Sequence, residues 1–196
     1  MQESHNPTTY AEAGVHLDLG DAASRLLYNA ARQTWEQRRG RFGEVIIPHD
    51  DFSGVRCIAV GALPADTVMG IGFDGIGTKI EIAERLGQWH TLAFDLFAMV
   101  CDDAVVQGAE PVLVGTVLDV RTLGSAAAAH LDSIAQLAQG YIAAAAAARV
   151  AVVNGELAEC GSRINGYGPF NCTWSAGVVW FARRARLLSG TAVRPG

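Results

Sequence analysis

Between residues 56 and 183 the sequence repeatedly changes period, from short β-rich runs to longer helical ones and back. That alternation restricts the fold more than any other feature, because strands repeat every two residues and helices every 3.6. Strand-like runs cover 56–60, 67–73, 111–120, 149–153 and 171–183. Helical patterns cover 78–86, 91–107 and an alanine-rich 125–148, where Leu131, Ile134, Ala135, Leu137, Ala138 and Ile142 are available for packing. An amphipathic helix is expected from Asp21 to about Arg39, with Leu26, Leu27, Ala30, Ala31 and Trp35 on one face and Gly20-Asp21 offering a cap. Gly40-Arg41-Phe42-Gly43 breaks it, Leu63-Pro64-Ala65-Asp66 reads as a turn, and Gly108-Ala109-Glu110-Pro111 ends the helix before it. Strands mixed with helices in this way predict an α/β or α+β domain.

A chain of 196 residues, half of them hydrophobic, suits one domain with a sizeable core. The polar residues 1–9 are expected to be disordered, and they lack the apolar stretch of a signal peptide. The formal charge of −5 and the lack of any basic run argue against nucleic-acid partners and membrane surfaces. The most apolar stretch, 141–153, is too short to span a bilayer and contains Arg149. Cys57, Cys101, Cys160 and Cys172 form no C-x-x-C pair, which predicts reduced, mostly buried thiols in a cytoplasmic protein.

Lys79 is the only lysine, and every other fixed cation is arginine. It closes the run Gly70-Ile71-Gly72-Phe73-Asp74-Gly75-Ile76-Gly77-Thr78-Lys79. An ammonium is a compact point charge suited to a phosphate, and glycines let backbone N–H groups approach one closely. A turn with an incidental surface charge would read the same way. The order G-x-x-x-x-G-K-[ST] of a P-loop is absent, since Thr78 precedes Lys79. Gly70-x-Gly72-x-x-Gly75 fits the dinucleotide fingerprint by letters only, because it lies within and just past a strand.

Carboxylates near strand and helix ends supply the hard oxygens that magnesium takes when it also holds phosphates. The candidates are Asp74, the adjacent pair Asp102 and Asp103, and Glu156, expected just after the strand at 149–153. The apolar neighbours of Asp102 and Asp103 predict that these carboxylates need a metal or a cation. Glu159 suits a surface role equally well. The five histidines show no triad or zinc order, and Trp174 and Trp180 share a strand face as packing residues.

Taken together, the motifs resemble the aminoimidazole ribonucleotide (AIR) synthetase family. Tyr10 to Gly20 is similar to its opening signature, and Gly72 to Lys79 resembles its D-G-V-G-T-K segment. Asp95 to Pro111 resembles D-L-V-A-M-x-V-N-D-L-V-V-Q-G-A-E-P, and Asn154 to Glu159 resembles G-G-E-T-A-E. The likeness runs from Tyr10 to Gly196 in the family's order. It implies an α/β (α+β) N-terminal ATP-binding domain over 10–196, a mixed sheet flanked by helices, and homodimerisation through that sheet. It also implies ATP-dependent ring closure of formylglycinamidine ribonucleotide in purine biosynthesis, with ATP and magnesium as cofactors. On the matching positions, Asp74, Asp103 and Glu156 would serve magnesium. Lys79 and Asp103 would be catalytic, and Asp74, Gly75, Gly77, Thr78, Lys79 and Asp102 would line the nucleotide site. The family's second domain would begin where this chain ends, so the expectation is that it is absent from this chain, either excised or replaced by a separate partner.

The departures from the family pattern are local. Phe73 stands for a threonine, Asp102 for an asparagine, Asn154 for a glycine and Leu157 for a threonine, and Cys160-Gly161-Ser162 replaces M-P-G. They leave room for siblings of the same architecture: thiamine-phosphate kinase, selenophosphate synthetase, the hydrogenase-maturation type or formylglycinamidine synthetase. They also leave room for a non-catalytic nucleotide-binding dimerisation module. No cysteine precedes Cys57, which tells against selenophosphate synthetase.

Overall fold

The computed structural model describes residues 9–10, 13, 15–48, 52, 54–125 and 127–194. The disorder expected for 1–9 lies outside these residues, apart from Thr9. Helix α1 spans Leu17–Thr34 and continues as a short 3-10 turn, Trp35–Arg38. It starts four residues before the expected start at Asp21, so Gly20 and Asp21 lie inside it. The true N-cap is His16, which makes no side-chain cap bond. Instead its backbone N–H donates to Glu159 Oε2 at 2.7 Å, a tertiary contact that no local pattern encodes.

The two-residue strands β1 (Val45–Ile46) and β2 (Cys57–Ile58) pair antiparallel. β2 is shorter than the run expected at 56–60. β3 spans Thr67–Gly75, followed by the 3-10 turn Gly77–Lys79, helix α2 (Ile80–Leu86) and helix α3 (Leu92–Val105). β4 spans Glu110–Val120. The helix expected at 125–148 begins only at Leu131, because Gly124–Ser125 (β5) and Ala128–Ala129 (β6) form a small antiparallel pair first. Alanine is the strongest helix former, so the run's propensity pointed to helix, and the local β5–β6 pairing overrides it. Helix α4 spans Leu131–Ala148, β7 spans Ala151–Glu159 and β8 spans Cys172–Arg183. β7 runs six residues beyond the expected strand end, which places Glu156 and Glu159 within a strand.

Four strands form one mixed sheet in the order β3-β8-β4-β7. β8 pairs antiparallel with both β3 and β4, and β7 joins β4 in parallel after the α4 crossover. Alternate residues of β8, namely Cys172, Trp174, Ala176 and Val178, enter the core beneath α1, α3 and α4. Leu96, Leu118, Ile134 and Leu137 are fully buried there, and truncating such a residue costs about 2–5 kcal/mol. Gly70 is required on this face because a Cβ would overlap the Trp180 ring. The opposite face is covered at one end, where Val112, Leu113, Ala151 and Phe181 pack under Phe42, Val45 and Ile58. Elsewhere no described residue covers it: Met69, Ile71, Phe73 and Val117 are exposed along it.

Arg38 fastens the 3-10 turn after α1 to the sheet. It is fully buried and donates to Glu110 Oε1 at 2.9 Å, Phe42 O at 2.6 Å and Arg149 O at 3.3 Å. A buried guanidinium is tolerable only with such partners.

Candidate nucleotide site

The site begins where β3 runs out. Gly75 shares a face with Ser175, so Asp74 points to the helix-covered side, in register with Ala176. The Gly75 N–H donates to Asp74 Oδ1 at 2.7 Å, and the Ile76 N–H to Trp174 O at 3.1 Å, which pins the base of the turn. Gly77 then takes φ +62°, with open space where a Cβ would stand. That left-handed conformation suits glycine and keeps the turn accessible. Thr78 and Lys79 are exposed at its tip.

Lys79 is not a bare surface charge. Its Nζ lies 3.2 Å from Asp95 Oδ1 and 3.6 Å from Met99 Sδ, both on α3. Asp95 belongs to the family-like run, yet the sequence reading gave it no role; its distance in sequence from Lys79 hid the pairing. Asp102 lies seven residues beyond Asp95 on the same stripe of α3, and Asp103 borders that stripe. Seven to eight residues of helix amount to roughly 10–12 Å of rise. Both carboxylates are exposed, contrary to the buried setting their apolar sequence neighbours suggested. The apolar side chains around them, Val100, Cys101 and Ala104, point inward, and helical period separates the two sets.

Glu156 lies elsewhere. The register places Gly75, Ser175, Val117 and Glu156 in one row across the four strands, and Glu156 shares the bare face with Val117. Three interstrand spacings amount to roughly 14 Å. Asp74 and Glu156 therefore occupy opposite edges and opposite faces, and Asp74, Asp103 and Glu156 do not converge within one chain. Among the described residues no three His, Cys, Asp or Glu side chains form a group able to hold a metal ion. The donor set fits a magnesium ion that arrives with phosphate oxygens and needs only one or two carboxylates, rather than an all-protein cage.

Asn154, Gly155 and Glu156 line a cleft of about 760 Å³ between β7 and α1. Tyr28, Trp35, Phe52 and Arg56 form its other wall, and Arg56 donates to Tyr28 Oη at 2.9 Å. On its floor Thr116 and Tyr141 share a buried hydrogen bond of 2.7 Å. Sequence reasoning missed this cleft, because its walls come from segments about a hundred residues apart.

Glu159, in contrast, is structural. Its side chain is 5% exposed and accepts hydrogen bonds from His16 N, Leu123 N and Thr122 Oγ1. All four cysteines are free; Cys101 and Cys172 are buried, whereas Cys57 is exposed and Cys160 partly so. Burial, helped by the Asp102 charge, pushes the Cys101 thiol up to about 12, so it stays protonated and unreactive at neutral pH.

A sequence profile of the AIR synthase related protein, N-terminal domain, matches residues 56–181. The chain belongs to this family. Phosphoribosylformylglycinamidine cyclo-ligase of Thermococcus kodakarensis is 32% identical over 189 residues, covering 96% of this chain and 51% of that protein. The enzyme of the same name from Pyrococcus furiosus is 29% identical over 188 residues, again covering 96% and 51%. The chain thus spans about half the length of the curated relatives it matches. Among solved structures, the hydrogenase maturation protein HypE in complex with ATP aligns with a TM-score of 0.55 at 14% identity. That alignment covers 92% of this chain and 47% of HypE. Thiamine-monophosphate kinase from Stenotrophomonas maltophilia aligns with a TM-score of 0.52 at 18% identity, covering 83% and 43%. These two likenesses concern the fold: a mixed sheet with helices packed on it, as the family resemblance implied.

Proposed function

We propose that this AIR synthase-family domain is the ATP-binding half of a phosphoribosylformylglycinamidine cyclo-ligase acting in purine biosynthesis. The observation that carries the reading is the single lysine, held by Asp95 at the tip of an open glycine turn within the matched family region. The cyclo-ligase names of its relatives and the ATP bound by HypE support it. In this reading the Lys79 ammonium offsets phosphate charge, and Gly75, Gly77 and Thr78 shape the turn around it. Asp74 is the carboxylate of the turn itself, and Asp102 and Asp103 extend the acidic stripe of α3 toward the same magnesium–phosphate group. When bound, ATP with magnesium supplies the phosphoryl group that activates an amide oxygen for ring closure. Glu156 and the cleft beside β7 face the small-molecule substrate, formylglycinamidine ribonucleotide or a related amide. We place the protein in the cytoplasm, which the four free cysteines support. No helix among the described residues is long and apolar enough to cross a membrane.

Calorimetry tests the nucleotide reading. ATP should bind with measurable heat in the presence of magnesium and at least tenfold more weakly without it. Affinity indifferent to magnesium would remove the metal–phosphate assignment.

The bare face bearing Met69, Ile71, Phe73 and Val117 is, in this proposal, the homodimer surface. Light scattering at micromolar concentration should give twice the chain mass, and Phe73→Asp should halve it. A monomer mass for the unaltered chain would refute this assembly.

A further inference from the structure

Helix α2 begins directly after Lys79, which is its N-cap residue. At seven residues it is too short to hold its own position, so its orientation must come from tertiary contacts. The most unusual of these is Glu84, a carboxylate only 6% exposed. Its Oε2 accepts the Tyr167 N–H at 2.8 Å. The neighbouring backbone is fitted to it: a Cβ on Gly166 would overlap the carboxylate, and one on Gly168 would stand 3.0 Å from the Glu84 carbonyl. One residue along, the Arg85 guanidinium stacks on the Tyr167 ring at 3.5 Å while paired with Glu81. Two successive residues of α2 therefore grip the same residue of the connection between β7 and β8.

That connection is anchored at its far end as well. Asn171 is buried and donates from Nδ2 to Tyr167 O at 2.8 Å, and its carbonyl accepts the Arg121 N–H at 2.9 Å just past β4. Phe170 packs edge-on against Trp89, in the segment after α2. The turn that presents Lys79 is thereby coupled to the chain leaving the strand that carries Glu156. A buried carboxylate is a costly way to hold one amide. The same contact made by a serine or asparagine would cost less, but neither side chain reaches as far from the helix.

We infer that Glu84 is a positioning residue for the phosphate turn. By clamping the Tyr167 N–H it fixes α2, and through α2 sets where the Lys79 ammonium stands. This rests on the nucleotide reading above, and a double-mutant cycle separates the two. Magnesium–ATP affinity is measured on the 196-residue chain, on Lys79→Ala, on Glu84→Ala and on the double variant. Glu84→Ala is expected to weaken binding about tenfold when Lys79 is present and less than twofold when it is absent, as for a lost hydrogen bond acting through the lysine. Glu84→Gln keeps an oxygen acceptor at the same reach and should stay within twofold of the unaltered chain. Equal losses with and without Lys79 would make Glu84 merely structural and overturn the inference, as would no loss at all. If Lys79→Ala binds as tightly as the unaltered chain, the phosphate reading itself fails and the inference falls with it. Should Glu84→Ala not fold, Gly166→Ala takes its place in the cycle. Its methyl group displaces the connection while Glu84 remains, and the same dependence on Lys79 is expected.

Discussion

Arg38→Ala should destabilise the domain by about 3 kcal/mol or more in urea titration, the range seen when one member of a buried charged network is removed. Three contacts are lost together, to Glu110, Phe42 O and Arg149 O, and the guanidinium also faces the Phe42 ring at 5.1 Å. The carbonyls are the more serious loss. Glu110 is 47% exposed and can turn to water, whereas the Phe42 and Arg149 carbonyls lose a buried donor and face a cavity. For a domain of this size the corresponding fall in melting temperature is about 6–12 °C. Arg38→Met should recover the packing but not the hydrogen bonds, and so fall between the two. A loss below about 1 kcal/mol for the alanine variant would show that Arg38 is a passenger, not the fastening of α1 to the sheet.

Lys79→Ala should weaken magnesium–ATP affinity about 10- to 100-fold, the value of one charge-assisted hydrogen bond to a phosphate. Stability should hardly change, because the Lys79–Asp95 pair is 48% and 42% exposed and such pairs contribute little. Affinity and stability thus separate for this residue. Lys79→Arg restores the charge but replaces a point by a planar fork, and Asp95 then competes for it with two-pronged geometry. It should regain only part of the affinity. The deficit of the alanine variant should also shrink as salt rises, since screening weakens the interaction being removed. Unchanged affinity on removing the lysine would leave the glycine turn without a ligand role.

The parts of this fold legible in sequence were those with a strong local period. β3, α3, β4 and β8 lie within two residues of the runs that announced them. Where the sequence misled, long-range contacts decided the outcome. α1 begins at Leu17, just after His16, whose backbone N–H is held by Glu159 from a strand far along the chain. β7 extends to Glu159 because β4 offers a parallel partner through Val120, a fact not readable from residues 154–159 themselves. The site divides in the same way. The glycine turn and Lys79 stood out by composition and order. Asp95 as the lysine's partner, the cleft beside β7 and the Glu84 clamp each join separate elements, which no local pattern reveals. The separation of Asp74 from Glu156 required the register of all four strands.

That strand order also sets a timetable for synthesis. Among the described residues, Thr67–Gly75 has a single hydrogen-bonded neighbour in the sheet, Cys172–Arg183, which emerges from the ribosome about a hundred residues later. Until then Val68, Gly70 and Gly72 have no sheet neighbour, whereas β4 and β7 can already pair with each other across the α4 crossover, although β4 too still awaits β8. The turn carrying the lone lysine is thus made early and seated late, when β8 inserts between β3 and β4.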